Sequence, residues 1–551
     1  MYGFVKMFNA KGIAVRQHMA KKPAIVPAAG RCGYWKLLLM MLLSVYTVAH
    51  AQDKTKVEFS AEQLESDIIN EEPCTRLTDN VVFGLEKCTI KADNAIYYKD
   101  RKLIEAQGHI YIIYEDCSTI IADQLLYDEK KRLAKLRGHV IYKSDDTTFY
   151  TDHFDYNTET KQGHFVEGGK LIEGDNILTS VSGQYNNLDK TAVFDRDVAL
   201  NNQDYMLQCD RLCYNTVTKI AQFKGATKIT SKDGKHTLTT HEEGEYNTSN
   251  QQSTFVQSKV ETDAYTLYGD LLSADPAAEI YTATGHVKLV AKEDDVTIVG
   301  DYGQYKKKEG IAKVYENALM TKVLEDDILY LSADTFMATE NKSIDEHTDI
   351  KVRAYHNVKF YKEDFQGKAD SMVYQSADAS IHFYGAPTFW SHASQLTADS
   401  AYILLQDKAF SEMHMNTHAF VASEDMLGNY NQLRGRDMIA FFKKNKIDTI
   451  EIEGNAESIY FVVDDSRQLK GMNHIQCSQI HIVMEKEAIA GITFQTKPVG
   501  VFYPPQKITE EAKRLDNFHW RSSERPTKEE VIAHGYGTQK AYKKFKFNQK
   551  R

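Results

Sequence analysis

Proline is scarce in this chain. Its 551 residues hold 9 prolines, and between Pro73 and Pro498 only Pro276 and Pro387 occur. A chain that avoids proline over such a span keeps its backbone N–H groups free for hydrogen-bonded ladders, which fits many strands. Long apolar runs are also lacking. The run Leu37 to Val48 has 12 residues, against the roughly 20 that a spanning helix requires, so a membrane bundle is excluded. Catalytic and nucleotide signatures are missing too: there is no Ser nucleophile elbow, no His-Glu-x-x-His, no phosphate loop and no dinucleotide fingerprint.

Acidic residues are absent before Gln52. In that stretch Lys6, Lys11, Arg16, Lys21, Lys22, Arg31 and Lys36 form a basic n-region, Leu37 to Val48 an apolar core, and Ala49-His50-Ala51 a small-x-small cleavage site. This pattern predicts an export signal over residues 1–51, with Gln52 as the mature start and Met19 as a candidate start codon. No Cys follows the apolar core, which argues against a lipoprotein. The mature chain then carries 60 basic against 77 acidic residues, a net charge of −17. So acidic a surface argues against nucleic acid as a partner.

Cysteine is sparse as well: Cys74, Cys88, Cys117, Cys209, Cys213 and Cys477 follow the signal. Cys74 and Cys88 are spaced to close a short loop in an oxidising compartment, and Cys209 and Cys213, four apart on one strand, are expected on the same face. Six cysteines scattered over so long a chain are not a disulfide framework and read as buried small apolar residues.

What the chain does contain is a repeat. Tyr97, Tyr127, Tyr156, Tyr185 and Tyr214 recur every 29 or 30 residues, and Asp93, Asp123, Asp152 and Asp210 precede their Tyr by four. Asp93/Gly108, Asp123/Gly138, Asp210/Gly225, Asp270/Gly285 and Asp370/Gly385 all keep a half-period of 15. After each Gly comes an alternating run such as Gly108-His109-Ile110-Tyr111-Ile112. We read the Gly as a turn that opens a half-buried strand, and the mixed-charge stretches after the Tyr, such as Asp128-Glu129-Lys130-Lys131, as exposed hairpin tips. A fixed period means that each unit must stack on its neighbours to bury its apolar face. Two strands per repeat without crossover helices exclude parallel α/β folds. The tail holds a short helical candidate at 509–514, the cluster Phe518-His519-Trp520-Arg521 and a basic end, and is either a cap or a docking segment.

The small residue-Asp, Tyr and Gly-x-Ile/Val pattern resembles the OstA/LptA-like family of lipopolysaccharide-transport proteins, which includes the periplasmic domain of the outer-membrane assembly protein LptD. The resemblance covers residues 75–500, and Gly454-Asn455-Ala456-Glu457-Ser458 with Trp520-Arg521 is similar to the long OstA-like proteins of the Bacteroidetes type. It implies an all-β, extended antiparallel β-jellyroll, or β-taco, of ~30-residue repeats around an apolar groove. The implied organisation is a signal peptide (1–51), a lead-in (52–74), jellyroll repeats (75–270 and 271–505) and a partly helical tail or cap (506–551). It further implies a non-enzymatic periplasmic protein that passes lipopolysaccharide toward the outer membrane and needs no cofactor or metal. Its expected partners are the lipid A acyl chains, Lpt-type components at the inner and outer membranes, and further copies stacked end to end. The groove candidates are Ile110, Ile112, Val140, Tyr142, Val198, Leu200, Val287, Leu289, Val358 and Phe360.

Recurrence itself argues against catalysis, because a catalytic carboxylate is needed once while the Asp recurs in unit after unit. These Asp read as turn caps that accept backbone N–H groups. His109, His139 and His286 share a phase but lack a regular third ligand for a metal. The other reading for the whole chain is a structural or polysaccharide-binding β-solenoid at the cell envelope; a polysaccharide lyase would need one non-repeating cluster of basic and acidic residues.

Overall fold

The structure is a computed structural model. It describes residues 57–536, apart from short stretches at 86–87, 116, 145–146, 187, 202, 293–294, 325–326, 343–347, 407–408, 444–445, 465 and 486–487. The export signal, with both candidate starts, and the basic end of the tail lie outside the described residues. The chain forms two compact units, one running to Asp204 and one beginning at Tyr205. Both are built of antiparallel strands joined by hairpins.

The first unit shows how the repeat works. The strand Cys88–Tyr98 buries Ile90 and Ala92, then Ala95, so its inward-facing residues step by three across Asp93-Asn94. Its partner Leu103–Tyr114 buries Ile104 and Ala106, then Ile110 and Ile112, a step of four across Gly108-His109. Lys91 faces Tyr111 while Asn94 faces Gln107, so the second strand carries one extra residue. Such a bulge bends a strand. With unequal steps on alternate strands, both halves of every strand turn the same face inward. Ile104, Ala106, Leu125 and Leu136 from one half-sheet accordingly join Ile90, Ile110, Ile112 and Val140 from the other in a single core.

The Gly is therefore not a turn between strands, as the sequence suggests, but the mid-strand corner. Gly108 and His109 both adopt positive φ, at 76° and 42°. A Cβ on Gly108 would stand 2.4 Å from Asp93 Oδ2, and Gly138, Gly225 and Gly285 meet Asp123, Asp210 and Asp270 at the same distance. The 15-residue beat is thus the spacing of two residues in direct cross-strand contact. Turn capping falls to a different residue, the one after the Tyr. Asn157 Oδ1 accepts the N–H groups of Glu159 and Thr160, Asn215 those of Val217 and Thr218, and Asp128 that of Lys131. Each such tip ends on a left-handed residue, among them Lys102, Arg132, Lys161, Lys190 and Lys219, as expected of a tip built on a tight turn followed by a bulge residue. Pro276 sits at one of these tips and Pro387 between the strands Ser380–Tyr384 and Thr388–Ser391, places where no ladder N–H is required.

Two cysteine readings change. Cys74 faces Asp67 near the start of Glu72–Leu85, whereas Cys88 faces Leu85 at its far end. They lie at opposite ends of this strand, on either side of its Asp79-Asn80 corner, and both are free thiols. In Tyr205–Asn215 the corner at Asp210 shifts the inward parity from Leu207 and Cys209 to Leu212, so Cys209 is buried while Cys213 leaves the inner face.

In the second unit the same corners recur, and one continuous core runs from Leu289 to Ile482 between the half-sheets. Here the tail adds a third layer. Residues after Tyr503 run back over the outer face. Leu515, with Ile508, Phe518 and Trp520, packs on Phe420, Ala422, Ile459, Phe461 and Met472. Further along, Val531 of the helix Lys528–Tyr536 inserts between Val299 and Leu319. The segment 509–514, expected to be helical, instead makes turns. Its Lys513 carbonyl accepts from Gln432 Nε2 at 2.7 Å, and Gln432 Oε1 accepts the Leu515 N–H at 2.9 Å. Gln395 grips the His519 carbonyl (2.7 Å) and the Arg521 N–H (2.6 Å) in the same way. Gln366 Oε1 accepts from Arg525 Nε at 2.8 Å. These three glutamines are 2%, 2% and 1% exposed in the order Gln366, Gln395, Gln432, so the strap supplies hydrogen bonds that buried amides require.

Candidate functional site

Among the described residues, apolar rows recur from strand to strand on the inner faces of the half-sheets, and the site is built from them. Cross-strand register places Ile112 beside Ile120, then Tyr142, Phe149, Leu171, Leu178 and Leu200 in the first unit. In the second unit Leu207 leads to Ile229, Leu238, Val260, Leu267, Leu289, Ile298, Met320, Leu331 and Phe360. Ile110, Val140, Val198, Val287 and Val358 point inward one step nearer the corner. Neighbouring rungs are a strand apart, about 4.8 Å, which makes each row a ladder of like surfaces.

All ten sequence-derived candidates thus face inward, but they are not equally accessible. Ile110, Ile112, Val140, Val198, Val287, Leu289, Val358 and Phe360 are buried, while Tyr142 and Leu200 are half-buried. Near Ile110 and near Leu289 to Phe360 the opposite half-sheet fills the interior with its own side chains. Toward the end of the first unit, Leu171 and Leu200 are half-buried, and at the start of the second so are Ile229, Leu238 and Val260. Sequence reasoning missed the inward residues of the Asp-bearing strands, such as Ile120, Phe149, Ile298 and Leu331. Their signal was the three-residue step at Asp, which breaks simple alternation.

The recurring polar groups lie at the corners. Asp93, Asp123, Asp270 and Asp399 hold Nδ1 of His109, His139, His286 and His418 at 2.7, 2.7, 2.6 and 2.9 Å. Asp301 and Asp334 accept instead from Asn317 and Asn357, at 2.7 and 3.1 Å. Asn serves where His does, so the position needs only a hydrogen-bond donor. Asp152, Asp210 and Asp437 accept the backbone N–H groups of His139, Ala226 and Thr417. These carboxylates cap bulges within strands rather than turns between them. Among the described residues no group of three or more His, Cys, Asp or Glu is arranged to hold a metal ion.

Hydrogen bonds donated to Asp93 and Asp123, reinforced by the carboxylate charge, push the His109 and His139 imidazoles above the usual value near 6.5. A raised folded-state value adds stability that is fully present below the unfolded value and fades as pH rises through the folded one. Both pairs are exposed, so salt screens them and the effect on overall stability is small. In an NMR titration of the mature chain, both His are expected to titrate above free histidine, and Asp123→Asn should return His139 toward 6.5 while lowering His109 only slightly, because Asp93 still holds it. Unshifted titration of His139 in the parent chain would contradict the corner pairing.

Beneath the strap, Glu457 from the Gly454–Ser458 stretch is buried on the outer face. Burial pushes its carboxyl up, but hydrogen bonds from Gln476 and His474 and the Arg434 guanidinium outweigh this and hold it below the usual value. Arg434 also reaches the Asp516 carbonyl at 3.4 Å, so Glu457 steadies a strap contact.

With this geometry established, comparison with known proteins locates the relationship. Residues 53–210 match the family model of the OstA-like protein. The OstA-like segment therefore takes in the first unit and ends at the first Asp corner of the second. Among solved structures, a match is the crystal structure of LptH, the LptA homologous periplasmic component of the conserved lipopolysaccharide transport device from Pseudomonas aeruginosa. The identity is 11%, the TM-score 0.13, and the match covers 24% of this chain and 75% of that one. No curated protein matches.

Proposed function

We propose that this chain is a periplasmic lipopolysaccharide-binding protein that passes lipid toward the outer membrane along its inner apolar rows. The observation that carries the reading is the continuous cross-strand register of inward apolar residues from Ile112 to Leu200 and from Leu207 to Phe360. The OstA-like match over residues 53–210 supports it. Buried acyl methylenes gain about 0.8 kcal/mol each, and rungs of like chemistry let a chain advance from one to the next without a deep well. Acyl chains enter where the row is half-buried, at Tyr142, Leu171 and Leu200 and at Ile229, Leu238 and Val260. Further travel requires the half-sheets to part, exchanging contacts between side chains for contacts with lipid. Direction comes from Lpt-type components at the two membranes, and the terminal strands are the surfaces for end-to-end stacking.

Leu200→Arg tests the entry site. It places a charge on a half-buried rung, and the mutant is expected to bind a fluorescent lipopolysaccharide at least tenfold more weakly, about 1.4 kcal/mol or more, with unchanged circular dichroism. Undiminished binding by a folded Leu200→Arg protein would remove that rung from the path.

A further inference from the structure

The strap of the second unit covers an outer surface whose counterpart in the first unit is covered by none of the described residues. Leu319 lies three residues after its corner residue Glu316, and Val299 two before Asp301; they face each other and are 1% and 6% exposed beneath Val531. By the same count, Ile141 follows Gly138 by three and Ile121 precedes Asp123 by two, and these also face each other. The row extends to Tyr111 on one side and Tyr150 on the other. Tyr111, Ile121 and Tyr150 are 36%, 37% and 37% exposed. Four large apolar side chains in one outward row are unusual on a surface whose neighbouring rows are polar.

Two further observations say what fits there. The row ends in a cleft of about 450 Å³ walled by Ile141, Tyr150, Lys170 and Thr179, opened by the glycine pair Gly168-Gly169 at the corner. Exposed Lys91 and Lys170 flank the row, facing Tyr111 and Tyr150; among the described residues neither has a carboxylate within ion-pair distance. Asp152 and Glu167 also border the cleft, but Asp152 accepts the His139 N–H and Glu167 pairs with His153 at 2.9 Å. Under the strap, outward cations are matched: Lys359 pairs with Glu530, Lys368 with Glu524 and Arg434 with Asp516. Apolar outward residues and matched cations are thus what a strap of this chain covers.

We propose that the outer row Tyr111–Ile121–Ile141–Tyr150 and its cleft form a docking site for a strap-like segment of a partner protein, one that presents a branched apolar residue beside glutamates. The apolar residue fills the cleft, and the glutamates meet Lys91 and Lys170. The site lies on the opposite face of the half-sheet from the inner rows, so it does not depend on lipid being the cargo. The strap of a second copy is a poorer occupant, because its Val531 is already buried in its own chain.

A synthetic peptide of residues 522–536, with a photo-reactive group in place of Ala533, serves as the probe against the full mature chain. Crosslinks mapped by mass spectrometry to residues 111–170 are expected, with yields at least tenfold lower for Ile121→Asp/Ile141→Asp. A second variant, Lys91→Glu/Lys170→Glu, alters only exposed side chains and should lower the yield severalfold. Crosslinks confined to the surroundings of Val299 and Leu319, dimers formed by exchange of the chain's own strap, or no crosslink at millimolar peptide would each overturn the proposal.

Discussion

Deletion of residues 504–551 is expected to cost the second unit its cooperative fold while leaving the first intact. The deletion uncovers Phe420, Ile459, Phe461 and Met472 and removes Leu515 and Val531 from their pockets. It also strips Gln366, Gln395 and Gln432 of the strap atoms that satisfy them. An orphaned buried amide costs about 1–3 kcal/mol, and each lost apolar side chain about 1.5–3 kcal/mol. The sum is on the order of the whole stability of an ordinary domain, about 5–15 kcal/mol. Because a repeat array is stabilised locally, limited proteolysis of the truncated chain should leave a resistant fragment ending near Asp204 and degrade the strands from 290 to 500. Equal resistance of both regions would show that the strap is an accessory.

Gly138→Val is expected to cost about 3 kcal/mol. A β-branched residue at φ 72° is strained by about 1–3 kcal/mol, and its Cβ would lie 2.4 Å from Asp123 Oδ2, displacing that carboxylate from His139. The consequence is local: hydrogen exchange in strands 119–157 should accelerate about a hundredfold, with little change beyond residue 205. Asp123→Ala removes the clashing group, so in the Gly138→Ala background it should cost less than it does alone. Additive costs would mean that the glycine is kept for its backbone angle and not for the carboxylate above it.

These expectations rest on features the sequence shows unevenly. Strand content, hairpin tips and the inward direction of Ile110, Val140, Val287 and Val358 were legible, because period-2 alternation survives within each half-strand. The role of Gly108 and its equivalents was not. A bulge and a turn both call for positive φ, and only the register between Lys91 and Asn94 separates them. Once the corner is known, the inward steps of three at Asp and four at Gly can be read directly from Ala92/Ala95 and Ala106/Ile110. The strap was hidden for another reason. Its marks are places where alternation fails because both faces are covered, as in Ala419-Phe420-Val421-Ala422, and such runs resemble any buried strand. Gln395 and Gln432, read alone, are ordinary surface residues until the backbone of residues 513–521 lies across them.

The central claim is that lipid travels on the inner rows. A photo-crosslinking amino acid placed singly at Tyr142, Leu200 and Val260, with outward Lys288 as the control, tests it in cells of the native host. Lipopolysaccharide adducts are expected from the three inner positions and not from Lys288. Adducts from Lys288 alone, or from none of the four in a folded and exported protein, would contradict the account.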